Sequence, residues 1–186
     1  MRIAKLLRSD QEMILRFLDT FGGGAAVLGS GNKRARPGFF IIAAAFIHEY
    51  IEEIFFRKED LLMKALVDSG FSPDEGPVGA LKNEQKKCRE AAELMLSAAK
   101  AWQAGEEAAR LDVGWEASEY TSTLRQHMDR LKNLIFPLLE QNLSPKDEHK
   151  IIEGLNLILF EGGMKDEGDK YVRWIESLED ELSEWK

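Results

Sequence analysis

Apolar residues recur three and four positions apart along most of the chain, as in Met13, Phe17 and Phe21 and again in Leu124, Leu131, Ile135 and Leu138. That period keeps side chains on one face of an α-helix, and strand-like alternation is absent, so the pattern predicts an all-α protein. The interruptions divide it into elements. Ser9 with Glu12 forms a capping box for a first helix, unless that helix begins earlier, over Ile3 to Leu7. A glycine-rich stretch from Gly22 to Gly38, ending in Arg36-Pro37, separates it from the second helix, although Ala25 to Leu28 is itself a good helical run. The second helix is predicted from about Pro37 to Asp68, stopping at Gly70, and a turn over Ser72 to Pro77 feeds a third from Val78 to about Gln103. Gly105 and Gly114 bracket a connection to a fourth helix, roughly Glu116 to Gln141. Ser144-Pro145, a cap followed by proline at the first helical position, opens a fifth helix that ends at Gly162-Gly163. A last helix, Asp166 to Trp185, carries Tyr171, Trp174, Ile175, Leu178, Leu182 and Trp185 in an apolar stripe. Such a stripe packs against the rest of the chain; the alternative is a homodimer contact through amphipathic helices. Four long helices and two shorter ones predict an up-down four-helix bundle with additional C-terminal helices. The whole of 1–186 reads as one domain, with the core bundle at about 3–142 and the C-terminal helices at about 144–186.

A chain of 186 residues is long enough to bury one sizeable core. With 44% apolar and 31% charged residues it has the composition of a folded globular protein rather than a disordered one. The net charge of −8 argues against a nucleic-acid partner, which needs a basic face. The local basic cluster of Lys33, Arg34 and Arg36 lies in the glycine-rich stretch and reads as a solvated loop. Cys88 is the single cysteine, so no intrachain disulfide forms, and a reducing compartment is the natural expectation. The longest apolar run, Phe39 to Ile47, is too short to span a bilayer, and no charged-then-apolar leader opens the chain. A cytoplasmic protein with no membrane partner is expected. The motifs of nucleotide-binding, nucleophile-elbow and cysteine-zinc chemistry are all absent, which leans the reading away from an enzyme.

Two segments, "FIHEYIEEIFFRKEDLLMKALVDSGFSPDEGPVGALKNEQKKCRE" and "LRQHMDRLKNLIFPLLE", resemble the hemerythrin-like (HHE cation-binding) family. The Gly76-Pro77 pair, the Phe136-Pro137 ending and the "LSPKD" start of the fifth helix extend the likeness through most of the chain. The resemblance implies a bundle of hemerythrin-like type around a non-haem di-iron site that handles oxygen, nitric oxide or iron. That pattern has a histidine on the first helix, a His-x-x-x-Glu pair on the second, a histidine on the third and a second His-x-x-x-Glu pair on the fourth. Residues four apart share a helix face, so both members of such a pair can reach a metal at the bundle centre.

Carried onto this chain, the first-helix histidine is Gln11, preceded by Asp10. The second-helix pair is Phe55 and Glu59. The third-helix histidine is Gln85, preceded by Glu84 and followed by the family's arginine as Arg89. The fourth-helix pair is His127 and Leu131. Of the six ligand positions, Glu59 and His127 keep a ligating side chain. These two are expected to face each other across the bundle, either as the remnant of a metal site or within a buried polar network with Gln11, Gln85 and Arg89. Phe55 and Leu131 then fill the remaining space, and the interior is either a filled core or a pocket for a small ligand. The expectation is a bundle with a degenerate di-iron site and no cofactor, acting as a non-enzymatic binding, sensing or scaffold protein. The alternative is a metal-binding, non-haem iron protein with an unusual site anchored by Glu59 and His127.

The other two histidines of the chain are His48 and His149. His48, Glu52, Phe55 and Glu59 are spaced four, three and four apart on one helical face, so a relocated site with His127 is geometrically conceivable. His48 nevertheless lies roughly 16 Å along the axis from Glu59, too far for one ion. Glu49, Glu53 and Lys58 read as solvated-face residues and His149 as a surface residue. Lys86, Lys87 and Arg89 around Cys88 would lower its pKa, but a lone helical cysteine reads as a packing residue.

Overall fold

The helix breaks set by turn residues form where the sequence places them, whereas several glycines expected to break helices lie inside them. A computed structural model describes residues 2–161 and 164–186. Helices α1 (Arg2–Leu6) and α2 (Arg8–Gly29) are joined at Leu7, whose N–H bonds the Ile3 carbonyl at 3.1 Å while its own carbonyl accepts from Gln11 N–H at 3.0 Å. The chain is therefore helical before Ser9, and no side-chain cap forms at the start of α2. α2 runs through Gly22, Gly23 and Gly24, and the connection shrinks to residues 30–36.

The second long rod consists of α3 (Pro37–Phe46), a π-helical segment Ile47–Phe55, and α4 (Phe56–Asp68). It ends at Gly70, whose φ of +106° only glycine adopts freely, with Phe71 N–H bonding the Leu66 carbonyl at 3.1 Å. The third rod is α5 (Gly76–Gln103). The fourth is α6 (Ala109–Arg130), a second π-helical segment Leu131–Ile135, and α7 (Phe136–Asn142). It begins well before Glu116 and places Gly114 inside the helix. α8 (Pro145–Glu161) starts as expected, with Ser144 Oγ accepting the Asp147 N–H at 3.1 Å; its predicted end at Gly162-Gly163 lies outside the described residues. α9 (Met164–Trp185) completes the chain.

Paired contacts give the up-down order. Asp10 meets Lys58 while Phe21 meets Phe40, so α2 and the second rod are antiparallel. Gln85 meets Glu59 and Trp102 meets Phe40, which reverses α5 against that rod. Glu84 meets Arg130 and Trp102 meets Arg110, which reverses the fourth rod again. α8 lies on α4, and α9 lies across α2 and α3. The α9 stripe is occupied within the chain: Tyr171, Ile175, Leu178, Leu182 and Trp185 are buried, and the Trp185 ring sits 4.8 Å from that of Phe39. Arg16 of α2 fixes the outer edge of α9 through Glu179 at 2.6 Å. Among the described residues, no helix is long and apolar enough to cross a membrane.

Gly24 shows why a glycine persists in mid-helix. A Cβ there would lie 2.4 Å from Cε1 of the buried Phe39 ring. Overpacking of this kind typically costs about 1–3 kcal/mol, only partly offset by roughly 1 kcal/mol of better helix propensity for alanine. Gly24→Ala is expected to lower the urea midpoint. Gly29→Ala, where a Cβ meets nothing within 4 Å, should leave it unchanged or raise it. Equal effects at both positions would rule out the Phe39 contact as the cause.

Candidate functional site: two buried ion clusters

Four rods of this length bring polar side chains into an otherwise aromatic and aliphatic core, where each charge needs a partner. Glu59 in the first turn of α4 and His127 in the last turns of α6 are both 0% exposed. His127 Nε2 lies 2.6 Å from Glu59 Oε2, and the other Glu59 oxygen accepts from Gln85 Nε2 at 3.0 Å. The second ring nitrogen, Nδ1, lies 3.0 Å from Glu84 Oε1. Arg130, three residues after His127, grips the same Glu84 with Nε at 3.0 Å and Nη2 at 3.2 Å, a two-pronged arrangement well suited to a carboxylate.

A carboxylate on each ring nitrogen leaves both nitrogens as N–H donors. Burial works against the charged ring, but the Glu59 charge and the bonds to Glu59 and Glu84 outweigh it and raise the His127 pKa to about 9. Burial likewise pushes Glu84 up, and the bonds from His127 and Arg130 outweigh that and hold it below its ordinary value. At neutral pH the cluster contains two carboxylates, one imidazolium and one guanidinium. The edge of Phe56 covers His127 at 5.8 Å, and Phe55 and Leu131 are fully buried.

A second cluster lies between α2 and the second rod. Asp10 takes the Tyr50 hydroxyl on Oδ1 and the Lys58 ammonium on Oδ2, the latter at 2.8 Å. Burial, reinforced by the Asp10 charge and the bond itself, pushes the Tyr50 phenol far above its ordinary range. Lys58 is 3% exposed, which corrects its reading as a solvated-face residue: the pairing with Asp10 makes its burial tolerable. Glu49 is also engaged, accepting from Lys170 of α9, whereas Glu53 is exposed.

The remaining expected positions fall elsewhere. Gln11 joins neither cluster; it lines a surface cleft with Arg8, Met128, Lys132 and Phe136, and its neighbour Asp10 turns inward instead. Arg89 is half-buried with its guanidinium 5.3 Å over the Phe56 ring, rather than on Glu59. His48 is 70% exposed and 3.5 Å from Glu52, a surface pair. The wider winding of the π-helical segment between His48 and Glu59 rotates the two off a common face. His149 is exposed and pairs with Glu153 at 3.1 Å. Cys88 is buried, and burial first, then the charges of Glu59 and Glu84, push its thiol up to about 12; Lys86 and Lys87 point outward and do not lower it.

The family model of the hemerythrin HHE cation binding domain matches residues 2–139. The chain belongs to that family. No curated protein and no solved structure matches it.

Family membership raises the question of a metal, and the side chains present do not fit one. Of the family's six ligand positions, Gln11 faces a cleft, Phe55 and Leu131 cannot coordinate, and Gln85 directs its amide N–H to Glu59. Both oxygens of Glu59 and both ring nitrogens of His127 are already engaged, and a diprotonated ring has no lone pair to offer. Among the described residues, no group of three or more His, Cys, Asp or Glu side chains is arranged to hold a metal ion. The Tyr120 hydroxyl is the buried side-chain polar atom without a hydrogen-bond partner among the described residues, and one phenol does not make a metal site.

The residues that complete the two clusters, Glu84 and Arg130 in one and Asp10, Tyr50 and Lys58 in the other, are outside the family ligand pattern. One local signal was available for the first: Arg130 follows His127 by three, so both share a helix face.

Proposed function

We propose that the chain is a hemerythrin-fold protein in which protein-borne cations stand where the family places metal, and that it works as a metal-independent binding, sensing or scaffold module rather than an enzyme. The observation that carries this reading is the complete engagement of Glu59 and His127 by each other, Gln85 and Glu84. The imidazolium neutralises Glu59, Arg130 neutralises Glu84, and Lys58 neutralises Asp10. A net charge of −8 supports the absence of a nucleic-acid partner, and a single buried cysteine supports a reducing, cytoplasmic setting.

The second reading, a non-haem iron protein anchored by Glu59 and His127, draws on the family's cation-binding character. It requires the metal to displace the His127 proton and the Gln85 and Glu84 bonds, so metal uptake would rise steeply with pH. The test is elemental analysis for iron, manganese and zinc in protein purified without a metal-affinity tag, before and after incubation with ferrous iron. Far less than one metal per chain, with a melting temperature indifferent to chelator, is the expected result. Near-stoichiometric metal that disappears in Glu59→Ala and in His127→Ala would replace the first reading with the second.

A further inference from the structure

A groove of about 790 Å³ runs between α2 and α6, away from both ion clusters. Ala25 and Leu28 form one wall, and Leu111 and Trp115, four residues apart on one face of α6, form the other. Leu111 is 69% and Trp115 72% exposed, so two large apolar side chains stand in water beside an apolar trough. The chain's other stripe of large apolar residues, on α9, is buried.

The lining charged groups of the groove without a hydrogen-bond or ring partner among the described residues are negative. Arg110 lines it, but its guanidinium donates to the Asn32 carbonyl and lies 5.3 Å over Trp102, so it is engaged. Glu107 and Glu119, at opposite ends of the Leu111–Trp115 pair, meet no cation among the described residues. Asp112 and Glu116 occupy the same turns of α6; burial first, then the negative charges of Glu119 and Asp112, push the Glu116 carboxyl up.

We propose that this groove docks a cationic amphipathic helix of another protein, with Leu111 and Trp115 receiving its apolar anchors and Glu107 and Glu119 meeting lysine or arginine on its flanks. Two antiparallel helices leave a trough that a third helix fills by side-chain interdigitation, and tryptophan is among the residues enriched at the energetic centre of such contacts. Charge complementarity favours this occupant over the others. An anionic membrane is repelled by the same carboxylates. A second copy brings a net charge of −8, and its own basic cluster, Lys33, Arg34 and Arg36, sits on the loop over residues 30–36 rather than on an amphipathic helix.

The test uses the full chain and a synthetic helical peptide of leucine and lysine, with leucines at helical three-four spacing, beside a peptide with glutamate in place of lysine. Titration of the lysine peptide is expected to blue-shift the emission of Trp115 and to move backbone amide resonances confined to the groove walls on α2 and α6. Trp115→Ala, read by the amide resonances, should weaken binding by roughly tenfold or more, while its circular dichroism and melting stay unchanged because the side chain is exposed. Glu107→Lys with Glu119→Lys should weaken it further as salt is lowered, and the glutamate peptide should not bind. Absence of saturable binding at low salt, or binding indifferent to Trp115→Ala, overturns the proposal. So does a concentration-dependent dimer of the chain alone that Trp115→Ala abolishes, because the occupant would then be a second copy.

Discussion

Lys58→Met is expected to destabilise the protein by about 3–5 kcal/mol, the usual consequence of removing one partner from a buried ion pair. Methionine keeps most of the lysine stem, so the loss measures the ammonium rather than a cavity. The Asp10 carboxylate, 5% exposed, would retain the Tyr50 hydroxyl as its donor and lose its counter-charge. The effect should appear as a lower urea midpoint at pH 7 with an unchanged slope, since the surface exposed on unfolding is the same. Removing the second charge should restore much of the stability: Asp10→Asn in the Lys58→Met background leaves no uncompensated ion, and Asn can still accept from Tyr50. The double-mutant cycle therefore predicts a large favourable coupling between two residues forty-eight positions apart. A single-mutant loss below about 1 kcal/mol is the range of an exposed pair and would show that water reaches Asp10.

The helices were legible because a 3.6-residue period survives almost any local composition, and the turns were legible where proline or a left-handed glycine fixes them. The failures have specific causes. Gly22 to Gly24 looked like a break because three glycines lower helix propensity, but the missing Cβ of Gly24 is what admits the Phe39 ring. The π-helical segment Ile47–Phe55 left no trace in the pattern. Its buried residues Ile47, Tyr50, Ile51, Ile54 and Phe55 fall at the three-four spacing of an ordinary α-helix. In the site, the family pattern makes Glu59 and His127 readable and sets Gln85 beside them. Gln11 lines a cleft, and its neighbour Asp10 turns inward to the second cluster. Adjacent helical positions point about 100° apart, and with Asp10 and Gln11 both polar only the packing of Tyr50 and Lys58 decides which one turns inward. Lys58 reads as solvent-facing because lysine is almost never buried unpaired, and its partner lies on another helix, beyond the reach of any local pattern.

Stability is also expected to fall as the pH rises from about 6.5 to about 9. The folded state binds the His127 proton more tightly than the unfolded chain does. The stabilisation is thus complete below the ordinary histidine pKa, declines through the interval, and is gone above the folded value. The raised pKa corresponds to a loss on the order of 3 kcal/mol across that window. The acid side has the opposite sign. Glu84 is held below its ordinary value, so its contribution is present above that value and disappears as the pH falls through the folded one. Cys88, pushed up to about 12, and Tyr50, pushed higher, add losses of the same sign, but these set in only near and above the ordinary thiol and phenol values, so the decline below about pH 8 belongs to His127. His127→Gln should flatten the alkaline limb. It should also destabilise the protein at pH 7 by several kcal/mol, because Glu59 loses its buried cation while Glu84 keeps Arg130. The nitrogen chemical shifts of the His127 ring give the direct check: both nitrogens should be protonated at pH 7. A neutral ring at pH 7 would instead leave one nitrogen with a free lone pair facing a carboxylate, which is the electronic requirement for a metal ligand. The protonation state of this one imidazole thus separates a bundle neutralised by its own side chains from one that still has a donor to offer.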